Sequence, residues 1–132
     1  MTTLQHIAFN CKDLEKQEAF YSKHFGFRRA RVFNAGKEDE FIMLRLGTAC
    51  IELFSASSEA KNSSGGVQPV GFSHLALEVE DIQAMVNALE ADGIQTEGII
   101  DCSEHVEGLR VCFFHDPEGN RIEIMQGWKD QF

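Results

Sequence analysis

Two stretches of the chain alternate between large apolar residues and polar or small ones, the pattern of a β-strand with one buried face. The first is Leu-Gln-His-Ile-Ala-Phe from position 4, and the second is Phe-Ser-His-Leu-Ala-Leu-Glu-Val from position 72. They align at an offset of 68 residues, so His6 and His74 hold equivalent positions. Alternation places each histidine on the same strand face as a small residue, Ala8 or Ala76. The pattern predicts a chain that repeats one structural unit.

Each predicted strand leads into a segment whose apolar residues recur at helical spacing. The positions predicted to be buried are Leu14, Ala19 and Phe20 in the first helix and Ile82, Met85, Val86 and Leu89 in the second. Asp13 and Asp81 are suited to cap the two N-termini, because an aspartate side chain accepts a hydrogen bond from a free backbone N–H of the first turn. Both helices are predicted to end near a glycine, Gly26 in the first and Gly93 in the second.

Three further strand-like runs follow each helix, separated by turn residues such as Gly47 and the Asp-Pro-Glu-Gly-Asn sequence at 116–120. The predicted runs are 29–33, 40–46 and 49–54 in the first half and 95–100, 109–114 and 120–125 in the second. Each half therefore has the order β-α-β-β-β, and the predicted fold class is α+β with two βαβββ modules. We expect one domain over 1–132, with a first module at 1–56, a Ser-, Gly- and Asn-rich linker at 57–70, and a second module at 71–132.

A carboxylate lies in the last predicted strand of each module. Glu52 and Glu123 are 71 residues apart, almost the period of the histidines, and bulky apolar residues flank both, where an unpaired charge is costly. Taken singly, each of the two histidines and two glutamates is more typical of an ordinary surface or core residue. All four at matching repeat positions favour a metal site. Two imidazoles and two carboxylates suit a divalent ion such as Zn²⁺, Ni²⁺, Co²⁺, Mn²⁺ or Fe²⁺. The predicted metal ligands are His6, Glu52, His74 and Glu123.

Charge and composition narrow the possible partners. The chain has 12 Lys and Arg against 21 Asp and Glu, a formal net charge of −9 at pH 7, so we expect no binding to nucleic acid or to an anionic membrane. Arg28, Arg29 and Arg31 form a local basic cluster, which is more typical of a solvated strand edge than of an anion clamp. No run approaches the roughly 20 apolar residues of a membrane helix. The absence of a C-x-x-C pair and of an N-terminal leader pattern favours a cytoplasmic protein with reduced thiols.

These residues resemble the vicinal oxygen chelate superfamily, which includes glyoxalase I, extradiol dioxygenases, fosfomycin resistance proteins, bleomycin resistance proteins and methylmalonyl-CoA epimerase. The resemblance covers nearly the whole chain, from His6-Ile7-Ala8-Phe9 to the Asp-Pro-Glu-Gly-Asn-Arg-Ile-Glu sequence that ends at Glu123. It implies two βαβββ modules that form an open eight-stranded barrel-like sheet around a metal cavity, commonly in a homodimer.

The ligand set indicates a branch of this superfamily. Dioxygenases and fosfomycin resistance enzymes look like enzymes with two histidines and one glutamate as metal ligands, without a ligand at the position of Glu52. The full set of four residues is similar to that of glyoxalase I and the epimerase. The Asp-Pro-Glu-Gly-Asn turn before Glu123 is nearer to glyoxalase I, because epimerases usually have a longer connection there. Glutathione-dependent glyoxalases tend to carry Tyr-Asn just after the position of Glu52, where this chain has Phe54-Ser55-Ala56-Ser57. The resemblance implies glyoxalase-like chemistry and leaves the thiol open.

The function implied is that of a divalent-metal-dependent lyase or isomerase, which acts on a small substrate with vicinal oxygens through a metal-stabilised enediolate. The resemblance makes Glu123 the catalytic base and Glu52 its partner. Two alternatives stay open: a bleomycin-resistance-like protein that binds a small molecule without turnover, and an Fe²⁺-dependent dioxygenase or an epimerase of the same superfamily. The complete His and Glu set favours catalysis, because a sequestering pocket needs aromatic walls and no base.

Overall fold

The computed structural model describes residues 5–55, 72 and 74–131. Its elements are β1 (His6–Cys11), α1 (Leu14–Phe25), β2 (Arg28–Phe33), β3 (Phe41–Leu46), β4 (Ala49–Ser55), β5 (Leu75–Glu78), α2 (Ile82–Ala91), β6 (Thr96–Asp101), β7 (Arg110–His115) and β8 (Arg121–Gln126). The chain divides into two compact units, Met1–Lys61 and Asn62–Phe132, and each contains one helix and one four-stranded sheet among the described residues. The α+β class and the two βαβββ modules are confirmed, and the predicted linker at 57–70 lies outside the described residues.

The sheet of the first unit has the strand order β1-β4-β3-β2. β1 pairs with β4 in parallel, and the other neighbours are antiparallel. One face of this sheet forms the core: Ile51 and Leu53 are buried, and Phe9, the register partner of Leu53, stacks on Tyr21 of α1. Burying a large apolar side chain contributes about 1.5–3 kcal/mol, so this face holds helix and sheet together. The opposite face carries Glu52.

The buried side of α1 differs from the prediction. Ala19 is exposed, whereas Gln17, Phe20 and Tyr21 are buried. These three are spaced i, i+3 and i+4, so they form a single helix face. The Tyr21 ring contacts Phe9 and Phe27, and this aromatic packing sets which side of the helix meets the sheet. The prediction was wrong at Ala19 because it ranked residues by apolar character and passed over a glutamine and a tyrosine.

The helix ends match the predicted signals. Asp13 Oδ1 accepts a hydrogen bond from the backbone N–H of Lys16, and Asp81 Oδ1 accepts one from Ala84, each at 3.0 Å. α1 ends at Gly26, whose φ of 76° lies in the left-handed region that glycine enters without steric cost. Gly93 follows the last turn of α2. Neither helix in the described ranges has the length and hydropathy of a membrane span.

The second unit repeats this architecture with the order β5-β8-β7-β6, and β5 pairs with β8 in parallel. The predicted stripe of α2 is confirmed at Ile82, Val86 and Leu89, which are buried, whereas Met85 is half-buried. Ile122 and Ile124 of β8 are fully buried on either side of Glu123. Alternation then turns the Glu123 side chain to the opposite face of its strand, as in the first unit.

A hydrogen-bonded turn at 116–120 leads into β8 and fixes its start. The buried Asp116 carboxylate accepts hydrogen bonds from the backbone N–H groups of Glu118 and Asn120 through Oδ1, and from the Asn120 side-chain amide through Oδ2, all at 2.9 Å. Charge-assisted bonds of this kind are stronger than those between neutral groups. The Asp-Pro-Glu-Gly-Asn sequence is thus a turn stabilised by side-chain hydrogen bonds, and it holds the strand of Glu123 in register.

Candidate functional site

The first candidate pair joins His6, the first residue of β1, to Glu52 in the neighbouring strand β4. The parallel register pairs Ala8 with Glu52, so His6 and Glu52 lie diagonally on one face with the small Ala8 beside them. His6 Nε2 is 3.2 Å from Glu52 Oε2. The histidine side chain is 41% exposed and the glutamate side chain 12%, so a ligand can reach the imidazole while the carboxylate stays held against the sheet.

The second pair has the same arrangement in the other unit. His74 directly precedes β5, and Glu123 lies in β8, where the parallel register pairs it with Ala76. His74 Nε2 is 2.9 Å from Glu123 Oε2, and the two side chains are 31% and 11% exposed. Each unit therefore presents one imidazole and one carboxylate on a diagonal across its parallel strand pair.

The atoms of both pairs are spaced as two ligands of one metal ion would be. Metal bonds of about 2.0–2.2 Å to imidazole nitrogen and carboxylate oxygen, at octahedral to tetrahedral angles, separate the ligand atoms by about 2.8–3.5 Å. The distances of 3.2 Å and 2.9 Å fall within this interval. Nitrogen and oxygen donors also suit the divalent ions named above. The residues present thus fit a divalent metal.

The described residues assemble the four predicted ligands as two pairs, one in each unit. Among residues 5–55, 72 and 74–131, no group of three or more His, Cys, Asp and Glu side chains is close enough to hold a metal ion. Each unit by itself supplies two protein ligands, fewer than the three or four of most zinc sites. A complete centre therefore requires ligands beyond a single pair.

Gln5 orients the imidazole of His6, a contact that the sequence analysis missed. The Gln5 side-chain Nε2 donates towards the sulfur atoms of Met43 and Cys50, at 4.0 Å and 3.8 Å, which directs its Oε1 to His6 Nδ1. When Nδ1–H donates to Gln5, the lone pair of Nε2 faces Glu52 Oε2. Two acceptor atoms 3.2 Å apart need a proton or a cation between them. Metal-binding histidines generally make a hydrogen bond of this kind through the ring nitrogen that does not bind the metal.

An aromatic ring and an arginine surround the second pair. Phe113 of β7 is the register partner of Glu123, and its ring meets the His74 ring edge to face, with centroids 5.4 Å apart. The Arg121 guanidinium lies 3.9 Å from the Phe113 centroid and its Nη2 is 3.2 Å from Glu97 Oε2. Phe113 was not singled out from the sequence, although alternation within β7 could have placed it on this face. The edge-to-face contact with Phe113 restrains the orientation of the His74 ring.

Three of the four cysteines are removed from solvent. All four are free thiols, and Cys11, Cys50 and Cys112 are buried. Burial raises the pKa of the Cys112 thiol, which keeps it protonated near neutral pH.

Comparison with known proteins agrees with the fold of two βαβββ modules described above. The model of the glyoxalase/bleomycin resistance protein/dioxygenase superfamily matches residues 3–124. Protein YwkD of Bacillus subtilis, whose name assigns no activity, is 30% identical over 128 residues, covering 96% of this chain and 98% of its own. A protein of Vibrio parahaemolyticus named probable lactoylglutathione lyase is 29% identical over 129 residues, covering 92% and 88%. The crystal structure of a glyoxalase family protein from Enterococcus faecalis has a TM-score of 0.76 at 29% identity, covering 93% and 96%.

Proposed function

The chain belongs to the glyoxalase/bleomycin resistance protein/dioxygenase superfamily, and from this premise we propose that it is a divalent-metal-dependent lyase or isomerase. Its substrate is a small molecule with two adjacent oxygens, such as a hemithioacetal or an α-hydroxy carbonyl compound. In this proposal residues 1–132 form one functional domain, and two copies form a homodimer. The observation that carries the proposal is the duplicated His–Glu diagonal, with Nε2 to Oε2 distances of 3.2 Å and 2.9 Å.

The duplication supports a single centre that draws on both units. One unit provides two ligand atoms, whereas two units provide His6, Glu52, His74 and Glu123, a set that leaves positions for substrate oxygens in an octahedral ion. When bound, the metal would supply Lewis-acid polarisation of the substrate oxygens at neutral pH. Zn²⁺, Ni²⁺, Co²⁺, Mn²⁺ and Fe²⁺ all accept this donor set.

The carboxylates would carry the proton during the reaction. The Glu123 carboxylate is the proposed acceptor of the proton that leaves the substrate carbon, because the Glu123 side chain is only 11% exposed and its environment excludes most water. His74 Nε2 and Glu123 Oε2, 2.9 Å apart, would hold the ion, and the second carboxylate oxygen would be the one that accepts the proton. Glu52 is the partner, proposed to hold the other side of the substrate or to return the proton to the neighbouring carbon. Such a transfer between adjacent carbons converts the substrate without any external reductant.

A second candidate function is binding without turnover, and one observation favours it. Phe33, Phe41 and Phe54 stack in a row on the sheet of the first unit, the kind of wall on which a flat molecule can be held. A sequestering protein has no need of a carboxylate beside each histidine, however. Turnover of a substrate with adjacent oxygens separates the two functions directly.

The proposal predicts about one divalent ion per chain. Protein stripped with a chelator and reloaded with Co²⁺ should contain one equivalent by elemental analysis, and its visible absorption should report coordination by nitrogen and oxygen. Because loss of an outer-shell partner already costs about 10–100-fold in metal affinity, His6→Ala and His74→Ala should each weaken Co²⁺ binding by about 100-fold or more. His105→Ala, at an exposed turn residue, should leave the affinity unchanged.

Two results would contradict a centre shared by both units: two equivalents of metal per chain, or His6→Ala protein that binds Co²⁺ as tightly as the wild type. Mixing the two histidine variants then identifies the chains involved. If an ion takes ligands from two copies of the chain, the mixed dimer regains one intact site, and tight Co²⁺ binding returns in part. If all ligands belong to one chain, mixing restores nothing.

The contact between Gln5 and His6 gives a further prediction. Gln5→Ala removes the acceptor at His6 Nδ1 and should weaken Co²⁺ binding by about 10–100-fold, the usual cost of losing an outer-shell hydrogen bond. Gln5→Glu keeps an oxygen acceptor and should retain most of the affinity. Metal titration monitored by absorption measures both. Equal affinities of wild-type and Gln5→Ala protein would show that Gln5 does not orient His6.

A further inference from the structure

The sheet face that carries Glu52 groups residues of similar chemistry on neighbouring strands. The strand registers and the alternation of side chains place its residues in three cross-strand rows. The rows are His6, Cys50, Arg45 and Arg28; Ala8, Glu52, Met43 and Arg31; and Asn10, Phe54, Phe41 and Phe33. The candidate metal ligands thus lie on β1 and β4, the arginines on β3 and β2, and the aromatic rings in a row at one end.

The aromatic row is closely stacked. The rings of Phe33 and Phe41 have centroids 4.4 Å apart and planes within 5° of parallel, and Phe41 and Phe54 are also 4.4 Å apart, with planes 20° apart. All three side chains are half-buried, so part of the row remains open to a ligand. Phe54 is two residues beyond Glu52 on β4 and points to the same face. A molecule held by Glu52 can therefore extend over these rings.

A β-bulge directs Arg31 to this face and Arg29 away from it. Arg29 is the register partner of Leu44, which is buried on the core face, while Arg31 is the partner of Met43 on the Glu52 face. Ala30 is the extra residue of the bulge. It places Arg29 and Arg31 on opposite faces, although residues two apart in a regular strand share one face. The side-chain contacts agree with this register. Arg29 Nε is 2.5 Å from Glu18 Oε2 of α1, whereas the Arg31 guanidinium lies 5.7 Å from the Phe33 centroid.

The Glu52 face carries three arginines, Arg28, Arg31 and Arg45, on neighbouring strands. Arg28 and Arg45 are direct cross-strand partners, an arrangement of like charges that costs stability. In the described part of the chain, no salt bridge joins Arg28, Arg31 or Arg45 to a carboxylate. This positive patch lies in a chain whose formal net charge is −9. An anion bound here would relieve the repulsion between the arginines.

From this arrangement we propose that the Glu52 face binds a small organic anion with a flat aromatic or conjugated group. The flat group packs against the exposed ring edges of the row Phe33–Phe41–Phe54, an edge-to-face contact that aromatic rings favour. The anionic group lies near Arg31 and Arg45, and adjacent oxygens reach the pair His6–Glu52. Neighbouring strands are about 4.8 Å apart, so β4, β3 and β2 together span about 10 Å, the length of a single-ring acid. The inference rests on the proposed function and names its substrate class.

Binding of phenylglyoxylate tests the inference, because this probe combines a ring, a carboxylate and an adjacent carbonyl oxygen. Affinities for the full chain are measured by calorimetry on metal-free and Co²⁺-loaded protein. Two matched compounds separate the contributions: cyclohexylglyoxylate lacks the flat ring, and the methyl ester of phenylglyoxylate lacks the charge. We expect phenylglyoxylate to bind at least about fivefold more tightly than either, the gain typical of one ring or charge contact.

Variants of the chain locate the binding face. Phe41→Leu keeps apolar volume but removes the central ring, and Arg31→Gln removes the charge; each should weaken phenylglyoxylate binding by about fivefold or more. Arg29→Gln is the matched control, since it alters the neighbouring arginine that points to the other face, and it should leave the affinity unchanged. Circular dichroism confirms that each variant is folded.

The outcomes separate this inference from the proposed function. Equal affinity for all three compounds, or unchanged binding by both Phe41→Leu and Arg31→Gln, overturns the inference even if the protein binds one Co²⁺ per chain. If metal-free protein binds phenylglyoxylate with the expected preference but no Co²⁺ is retained, the metal-dependent function fails and the inference stands. An equal loss of affinity in Arg29→Gln would also contradict it.

Discussion

Replacing Glu123 by glutamine is expected to lower turnover by about 100- to 10,000-fold, the range contributed by a well-placed general base. Glutamine has nearly the same shape and keeps a carbonyl oxygen that can face His74, but it cannot accept the proton that leaves the substrate carbon. Glu123 points to the strand face opposite the fully buried Ile122 and Ile124, so an isosteric change there should leave the core intact. Turnover is measured with hemithioacetals of methylglyoxal formed with glutathione and with several other thiols.

Two further variants serve as comparisons for Glu123→Gln. Glu104→Gln, at an exposed position in the loop between β6 and β7, should retain full turnover. Glu52→Gln should impair a lyase or isomerase, whereas an oxygenase of the same superfamily, in which the equivalent position is not a ligand, would keep its activity. Glu123→Gln protein that retains wild-type turnover while Co²⁺ remains bound would exclude Glu123 as the base and require the proton to move elsewhere.

The sequence predicted the elements of the fold well because their signals are local. Alternation marks strands, and the aspartates at 13 and 81 mark helix starts, so the predicted runs agree with the observed strands to within one residue for β2, β3, β4, β6, β7 and β8. The buried face of α1 was predicted less well. Burial of Gln17 and Tyr21 depends on aromatic contacts with residues outside the helix, such as Phe9 and Phe27, which periodicity within the helix does not encode.

The candidate site could be predicted in part for a similar reason. The repeat period placed His6 and Glu52 at positions equivalent to His74 and Glu123, and strand alternation put each pair on one sheet face. The orientation of Gln5, set by its contacts with Met43 and Cys50, and the bulge before Arg31 could not be predicted, since each depends on a cross-strand register that one sequence does not specify. The bulge matters most, because without it Arg31 would share the face of Arg29.

Replacing Gly127 by alanine is expected to cause a large loss of stability. Gly127 follows β8 directly and has a φ of 90°, in the left-handed region where a side chain costs about 1–2 kcal/mol. A Cβ atom at this position would lie 2.5 Å from the carbonyl oxygen of Gly108 and 3.1 Å from its carbonyl carbon. Both contacts are with backbone, so β8 or the 102–109 loop must shift, and we expect a total cost of about 3 kcal/mol or more.

Gly108→Ala separates the cost of the steric contact from the cost of the backbone conformation. Gly108 has a similar φ of 81°, but no described residue has an atom within 4 Å of the Cβ that alanine would add, so we expect only the conformational cost of about 1–2 kcal/mol. Urea denaturation followed by circular dichroism gives the free energy of unfolding of both variants. A loss in Gly127→Ala no larger than in Gly108→Ala would show that the end of β8 moves freely. A loss at least about 1 kcal/mol larger would show that the close approach of the Gly127 and Gly108 backbones anchors the strand of Glu123.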